Sequence, residues 1–106
     1  GLGSTTVQNR AIVVPGLSNA VQISAGDKYS LVLDGTGTLH STGLNSSGQL
    51  GLGNTTLRTS FSPIPTLSGV NSIGAGYSHA LAMKNGELFS WGLNTSGQLG
   101  LDSLLN

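Results

Sequence analysis

The chain has 106 residues, no cysteine and no net charge, and Asp, Glu, Lys and Arg together make up only 8% of it. That length suits one small domain, and the missing cysteines exclude disulfides and thiolate metal sites. Arg10, Lys28, Arg58 and Lys84 stand far apart, which leaves no basic run for a phosphate backbone and makes nucleic acid an unexpected partner.

Glycine alone supplies 17 residues, and with Ser, Thr and Asn it accounts for about half the chain, a composition of turns and short strands rather than helices. No apolar run approaches the ~20 residues of a membrane span, and no signal-peptide pattern opens the chain. It begins without a methionine, as a processed or excised piece would. The low charge, the abundant Ser, Thr and Asn and the missing cysteines lean towards a microbial extracellular setting.

In chain order, GLGSTTVQ from Gly1 is repeated as GLGNTTLR from Gly51, Pro15 as Pro65, and Ile23-Ser24-Ala25-Gly26 as Ile73-Gly74-Ala75-Gly76, all fifty residues apart. The offset then drops to forty-nine, because Asp34-Gly35-Thr36-Gly37 becomes Lys84-Asn85-Gly86. Repeat one is residues 1–50, repeat two 51–99, and 100–106 begins a diverged third. Residues 11–14 and 61–64 are expected as short edge strands, each ended by a proline that cannot donate to a ladder. Residues 21–25 and 71–75 follow as inner strands, closing on Ala-Gly. Next come 29–33 and 79–83, then sharp turns, of which Asn85-Gly86 is a type I′ hairpin signal. Residues 38–42 and 87–91 return antiparallel. Four strands per ~50 residues without a helical period predict an all-β fold of propeller blades, two four-stranded antiparallel sheets.

The loop closing each unit is GLNSSGQLGL at Gly43 and GLNTSGQLGL at Gly92, preceded in the second copy by Trp91. Gly43, Gly48, Gly92 and Gly97 suit positive φ or close chain approach, and Asn45 and Asn94 suit a turn. Gln49 and Gln98 can turn an amide inward to satisfy loop backbone, while Leu50 and Leu99 pin the loop to a core. Three sequons begin at Asn45, Asn54 and Asn94.

Ala75-Gly76-Tyr77-Ser78-His79-Ala80-Leu81-Ala82-Met83, then Asn85-Gly86-Glu87-Leu88-Phe89-Ser90-Trp91-Gly92, then Asn94 and Gly97-Gln98-Leu99-Gly100-Leu101 resemble the repeat of the regulator of chromosome condensation family. The resemblance covers both units and implies blades of a seven-bladed propeller, with His79 a buried blade residue. The first unit departs from it, with Tyr29 at the histidine position and Thr42 at the tryptophan position. Asp102 stands where earlier copies have Gly3 and Gly53, and Leu104 and Leu105 have no counterpart.

Two blades cannot close a ring of ~4–8. The chain opens on a lone proline-ended strand and stops after Trp91-Gly92 without an outer strand for the second blade. The ring is therefore expected to be completed by missing repeats of a longer propeller or by other copies in a homo-oligomer, since an exposed strand edge invites pairing.

No catalytic, metal or cofactor site is expected. Gly76-Tyr77-Ser78-His79-Ala80 imitates a nucleophile elbow, but a strand follows it where the elbow needs a helix, and no acid is placed to orient His79. His40 takes the place of Phe89 and fills part of an aromatic slot. Asp27, Asp34 and Glu87 have no ligand spacing, and no phosphate-cradling glycine loop occurs. Phe89 and Trp91 alternate along a strand and suit packing between blades.

The expected function is a non-enzymatic protein-interaction or scaffold module. The family resemblance implies that loops on one face meet a partner protein, as in nucleotide exchange on a small GTPase or chromatin docking. The candidate face comprises Asp27, Lys28, Asn45, Ser46, Arg58, Tyr77, Ser78, Asn94 and Thr95. The alternatives are a surface protein that assembles by strand completion between chains, and a carbohydrate-binding propeller that gains from multivalency.

Overall fold

The computed structural model describes residues 1–102. Of the expected third repeat, residues 103–106, with Leu104 and Leu105, lie outside them. Among the described residues seven strands form two antiparallel sheets. The first holds β1 (Ala20–Ala25), β2 (Tyr29–Asp34), β3 (Leu39–Gly43) and β4 (Arg58–Pro63) in sequential order. The second holds β5 (Ser72–Ala75), β6 (His79–Lys84) and β7 (Glu87–Gly92), also in order. As the repeat implies, no fourth strand lies beside β7 among the described residues. No helix of the described residues is long and apolar enough to cross a membrane.

Turn chemistry fixes the registers. Asn85 (φ 50°) and Gly86 (φ 83°) both take positive φ, which matches the twist of the flanking strands and sets Lys84 opposite Glu87. In the first blade Asp34 does that work through its side chain. Its carboxylate accepts from the Thr36 N–H (2.9 Å), the Thr36 hydroxyl (2.6 Å) and the Thr38 N–H (3.1 Å).

The core lies in the joint between the sheets. Alternation along β2 sends Tyr29, Leu31 and Leu33 to one face, where with Leu39, Leu50, Ile64, Leu67 and Val70 they meet Ala80 and Ala82 of β6. Ile73, Ala75, Phe89 and Trp91 pack against this cluster. Burying two or three such leucines contributes several kcal/mol, at about 2 kcal/mol each.

Two expectations need correction. Residues 11–14 form no strand, although Ile12, Val13 and Val14 favour one, because β propensity is realised only against a neighbour and no strand among the described residues stands there. The segment expected at 61–64 is β4 at Arg58–Pro63. Ile64 leaves the ladder, enters the core at 4% exposure, and donates its N–H to the Leu39 carbonyl (2.8 Å).

Candidate interaction face

At one end of each blade the inner strand turns into the next through a glycine. Gly26 N–H donates to the Tyr29 carbonyl (2.9 Å) and Gly76 N–H to the His79 carbonyl (2.8 Å). A Cβ on Gly26 would lie 2.0 Å from the Tyr29 ring, and one on Gly76 would lie 2.1 Å from the His79 ring. The rings thus rest on bare backbone.

The closing loop returns to the same end. Leu44 N–H donates to the Lys28 carbonyl and Leu93 N–H to the Ser78 carbonyl, both at 2.8 Å. This brings Ser46 and Thr95 to the end that carries Asp27, Lys28, Tyr77 and Ser78. Arg58 joins them at the start of β4, opposite Gly43. Asp27, Lys28, Ser46, Arg58, Tyr77 and Thr95 are exposed and Ser78 is half-buried.

Asn45 and Asn94 do not belong to that surface. Both are fully buried. Asn45 donates to the carbonyls of Asn54 and Thr56 (3.0 Å each) and accepts from the Leu50 N–H (3.0 Å). Asn94 likewise accepts from the Leu99 N–H (3.0 Å). Each amide replaces the backbone partners that a folded-in loop would otherwise lack. Gln49 and Gln98 complete the device by accepting from the N–H of Ser47 and Ser96, both at 2.9 Å. Of the three sequon asparagines only Asn54 is exposed.

The two blade ends are stitched into one edge. Asp27 N–H donates to the Tyr77 carbonyl (3.1 Å). The Asp27 carboxylate beside the Tyr77 hydroxyl holds that phenol above its ordinary pKa. Further in, the Tyr29 hydroxyl donates to the Gly76 carbonyl (3.0 Å) and touches the His79 carbonyl. Ala75 N–H donates to the Ser24 hydroxyl (2.9 Å), and Trp91 Nε1–H donates to the Gln49 carbonyl (2.9 Å).

These cross-blade ties escape a reading of single repeats. Their one sequence signal is that Tyr29 and His79 occupy the same place after Gly26 and Gly76. A second pair was also missed: His40 Nε2 lies 2.9 Å from Asp34 Oδ2 across the first hairpin. The Thr36 hydroxyl, with His40 and the turn N–H groups, holds the Asp34 carboxyl well below the usual carboxylate range. Among the described residues no three His, Asp or Glu side chains gather as a metal would require.

Tyr29 gives the joint a pH limit. Burial pushes its phenol from 10.0 up to about 12. The folded chain therefore keeps the proton where the unfolded chain has lost it, so this contribution is complete below 10.0 and fades as pH rises towards about 12. Thermal unfolding across that range should show a falling Tm, and Tyr29→Phe should flatten the fall while lowering stability by about 1–2 kcal/mol at neutral pH. An unchanged slope in the variant would rule out Tyr29 as its source.

Two models described as the regulator of chromosome condensation (RCC1) repeat match the chain, one at residues 20–49 and 70–98 and the other at 36–83. No curated protein matches the sequence. Among solved structures, yeast RCC1 (Prp20) bound to Kap60 is similar at 33% identity and a TM-score of 0.74, over 87% of this chain and 23% of that one. Prp20p from Saccharomyces cerevisiae, studied with its binding properties to Gsp1p and histones, is similar at 30% identity and a TM-score of 0.77, over 88% of this chain and 23% of that one. Human WBSCR16 is similar at 30% identity and a TM-score of 0.82, over 99% of this chain and 30% of that one. The chain thus spans less than a third of the length of each of these structures.

Proposed function

Because the chain belongs to the regulator of chromosome condensation repeat family, we propose that it is a non-enzymatic interaction module whose blade ends meet a partner protein. The observation that carries this reading is the stitched edge. The repeat's own polar residues, Asn45, Gln49, Asn94 and Gln98, are spent on holding loops. Asp27, Lys28, Ser46, Arg58, Tyr77 and Thr95 remain exposed along one end of both blades. Tyr77, 72% exposed on backbone that the Asp27 N–H holds through its carbonyl, is the anchor of the kind that dominates protein interfaces. Lys28 and Arg58 give the edge a cationic flank suited to acidic partner surfaces. That yeast Prp20 is seen with Kap60 and binds Gsp1p and histones supports protein as the class of partner.

Titration of the chain against Gsp1p and against histones tests the reading. Tyr77→Ala should weaken binding to either by about tenfold, and Lys28→Glu should weaken binding only where the partner surface is acidic. Glu87→Ala, at the opposite end of the β6–β7 hairpin and exposed, should leave it unchanged. Binding indifferent to residues 28 and 77, or binding to neither protein, would overturn the proposal for these partners.

A further inference from the structure

The hairpin of each blade sets an acyl side chain directly before a glycine. Asp34-Gly35 is the only Asp-Gly pair in the chain and Asn85-Gly86 the only Asn-Gly pair. With no side chain on the second residue, its backbone nitrogen can approach the side-chain carbonyl carbon of the first and close a five-membered ring. Whether it does depends on two things: how good an electrophile that carbon is, and how free the nitrogen is to reach it.

The first hairpin is closed on both counts. The Asp34 carboxylate accepts from the Thr36 N–H, the Thr36 hydroxyl and the Thr38 N–H and lies 2.9 Å from His40 Nε2. These partners keep it ionised, and a carboxylate anion resists nucleophiles. The Gly35 N–H donates to the Asn19 carbonyl (2.9 Å), and a Cβ on Gly35 would lie 2.6 Å from Asn19 Nδ2. The nitrogen is engaged and the glycine covered.

The second hairpin is open on both counts. Asn85 is exposed and offers a neutral amide, whose nitrogen can leave as ammonia. The tie that holds the turn has moved one residue, so that the Asn85 N–H, not the glycine's, donates to Asn71 Oδ1 (2.8 Å). Among the described residues neither the Asn85 side chain nor the Gly86 N–H has a hydrogen-bond partner. This exposure belongs to the turn itself. In the first blade the connection from β4 to β5 runs past the hairpin: a Cβ on Gly37 would lie 2.9 Å from Gly69 Cα, and Val70 N–H donates to the Gly37 carbonyl (3.1 Å). Gly35 and Thr36 stay exposed all the same, and the connection takes the glycine's carbonyl and not its N–H.

We infer that Asn85 is a site of spontaneous deamidation and isomerisation. Gly86 N, on losing its proton to base, attacks Asn85 Cγ; the N–Cγ bond forms, the Cγ–Nδ2 bond breaks, and the leaving nitrogen takes up a proton to depart as ammonia. Water then opens the ring. Cleavage of the new N–Cγ bond gives aspartate, and cleavage between Gly86 N and the Asn85 main-chain carbonyl gives isoaspartate, in which the chain runs through the former side chain and gains a methylene. The folded turn sets the rate. Asn85 has φ 50°, and left-handed backbone, with ψ about +47°, turns Gly86 N away from Asn85 Cβ, whereas the ring needs the two eclipsed. The reaction therefore waits on an opening that the Asn71 tie and the pairing of Lys84 with Glu87 resist. Isoaspartate then lengthens the two-residue turn, which can no longer set Lys84 opposite Glu87. β7 carries Trp91, whose Nε1–H donates to the Gln49 carbonyl (2.9 Å), so a slip of β7 pulls on the joint between the blades.

Incubation of the chain at mildly alkaline pH, followed by peptide mapping, tests the inference. A mass gain of water less ammonia should build up at Asn85 ahead of every other asparagine, and protein isoaspartyl methyltransferase, which methylates the isoaspartyl carboxylate, should label the aged chain. Asn85→Gly, which suits the same turn type, should abolish both signals. Asn71→Ala should speed conversion by about fivefold, the weight of one hydrogen bond in the opening equilibrium. Should that variant fail to fold, urea below the unfolding midpoint should speed conversion of the wild-type chain instead. The separated isoaspartyl form should unfold at a lower temperature than the fresh chain, and Asn85→Asp, with the same charge on an unaltered main chain, should not. No gain at Asn85, or a gain no faster than at the exposed Asn54, overturns the inference. A rate indifferent to Asn71→Ala and to urea overturns its control by the turn, and an isoaspartyl form that melts like Asn85→Asp overturns the loss of register.

Discussion

Replacing Asn45 with alanine should lower the unfolding free energy by about 3 kcal/mol. One amide serves the Leu50 N–H and the carbonyls of Asn54 and Thr56 from a fully buried position. Each buried group left without a partner costs about 1–3 kcal/mol, and partial entry of water into a surface loop keeps the total near the lower end of the sum. Against the ~5–15 kcal/mol that holds a domain of this size together, that is a large share. Urea unfolding of the variant should show a clear fall in midpoint, whereas Ser46→Ala, next in sequence and exposed, should not move it. A loss below about 0.5 kcal/mol would mean that the loop holds itself by its glycines and leucines alone.

Gly92→Ala should be worse than an ordinary glycine replacement. Gly92 and Gly48 both take positive φ, at 104° and 73°. A Cβ on Gly48 meets nothing within 4 Å, while one on Gly92 would lie 2.5 Å from the Ser78 carbonyl oxygen and 2.9 Å from His79 Cα. Gly48→Ala therefore carries only conformational strain, about 1 kcal/mol. Gly92→Ala adds a collision with backbone that is itself hydrogen-bonded, because Leu93 N–H donates to the same carbonyl, and about 3 kcal/mol or more is expected. Paired denaturation curves decide the matter, and equal losses at the two sites would contradict the close approach. Because this contact fixes the loop against the turn that carries Tyr77, the variant also tests whether the stitched edge depends on its scaffold.

What could be read from the sequence was what neighbouring residues decide among themselves. The Asn85-Gly86 turn needs only its own φ preferences, and the alternation of β2 and β6 needs only a core on one side. The positions of Gly26 and Gly76 were marked by recurrence at a fixed offset. Asn45 and Asn94 were misplaced because an asparagine in a polar loop reads as solvated, yet both stand five residues before a core leucine. That identical spacing in both copies is the mark of an inward-facing amide. Residues 11–14 failed as a strand for the opposite reason: their propensity is real, and no strand among the described residues stands beside them. The ties made by Tyr29, Ser24 and Trp91 require knowing which face of one blade meets which face of the next. No periodicity within a repeat holds that information.

The spans of those ties carry a kinetic consequence. Tyr29 to Gly76, Ser24 to Ala75 and Gln49 to Trp91 join residues 47, 51 and 42 apart, each close to one repeat length. The loop that must be closed to dock a blade is thus set by the repeat, and its entropic cost grows only with the logarithm of that length. Docking each further blade would meet the same barrier as the last, so folding should spread along the array at a steady rate rather than slowing as the array lengthens.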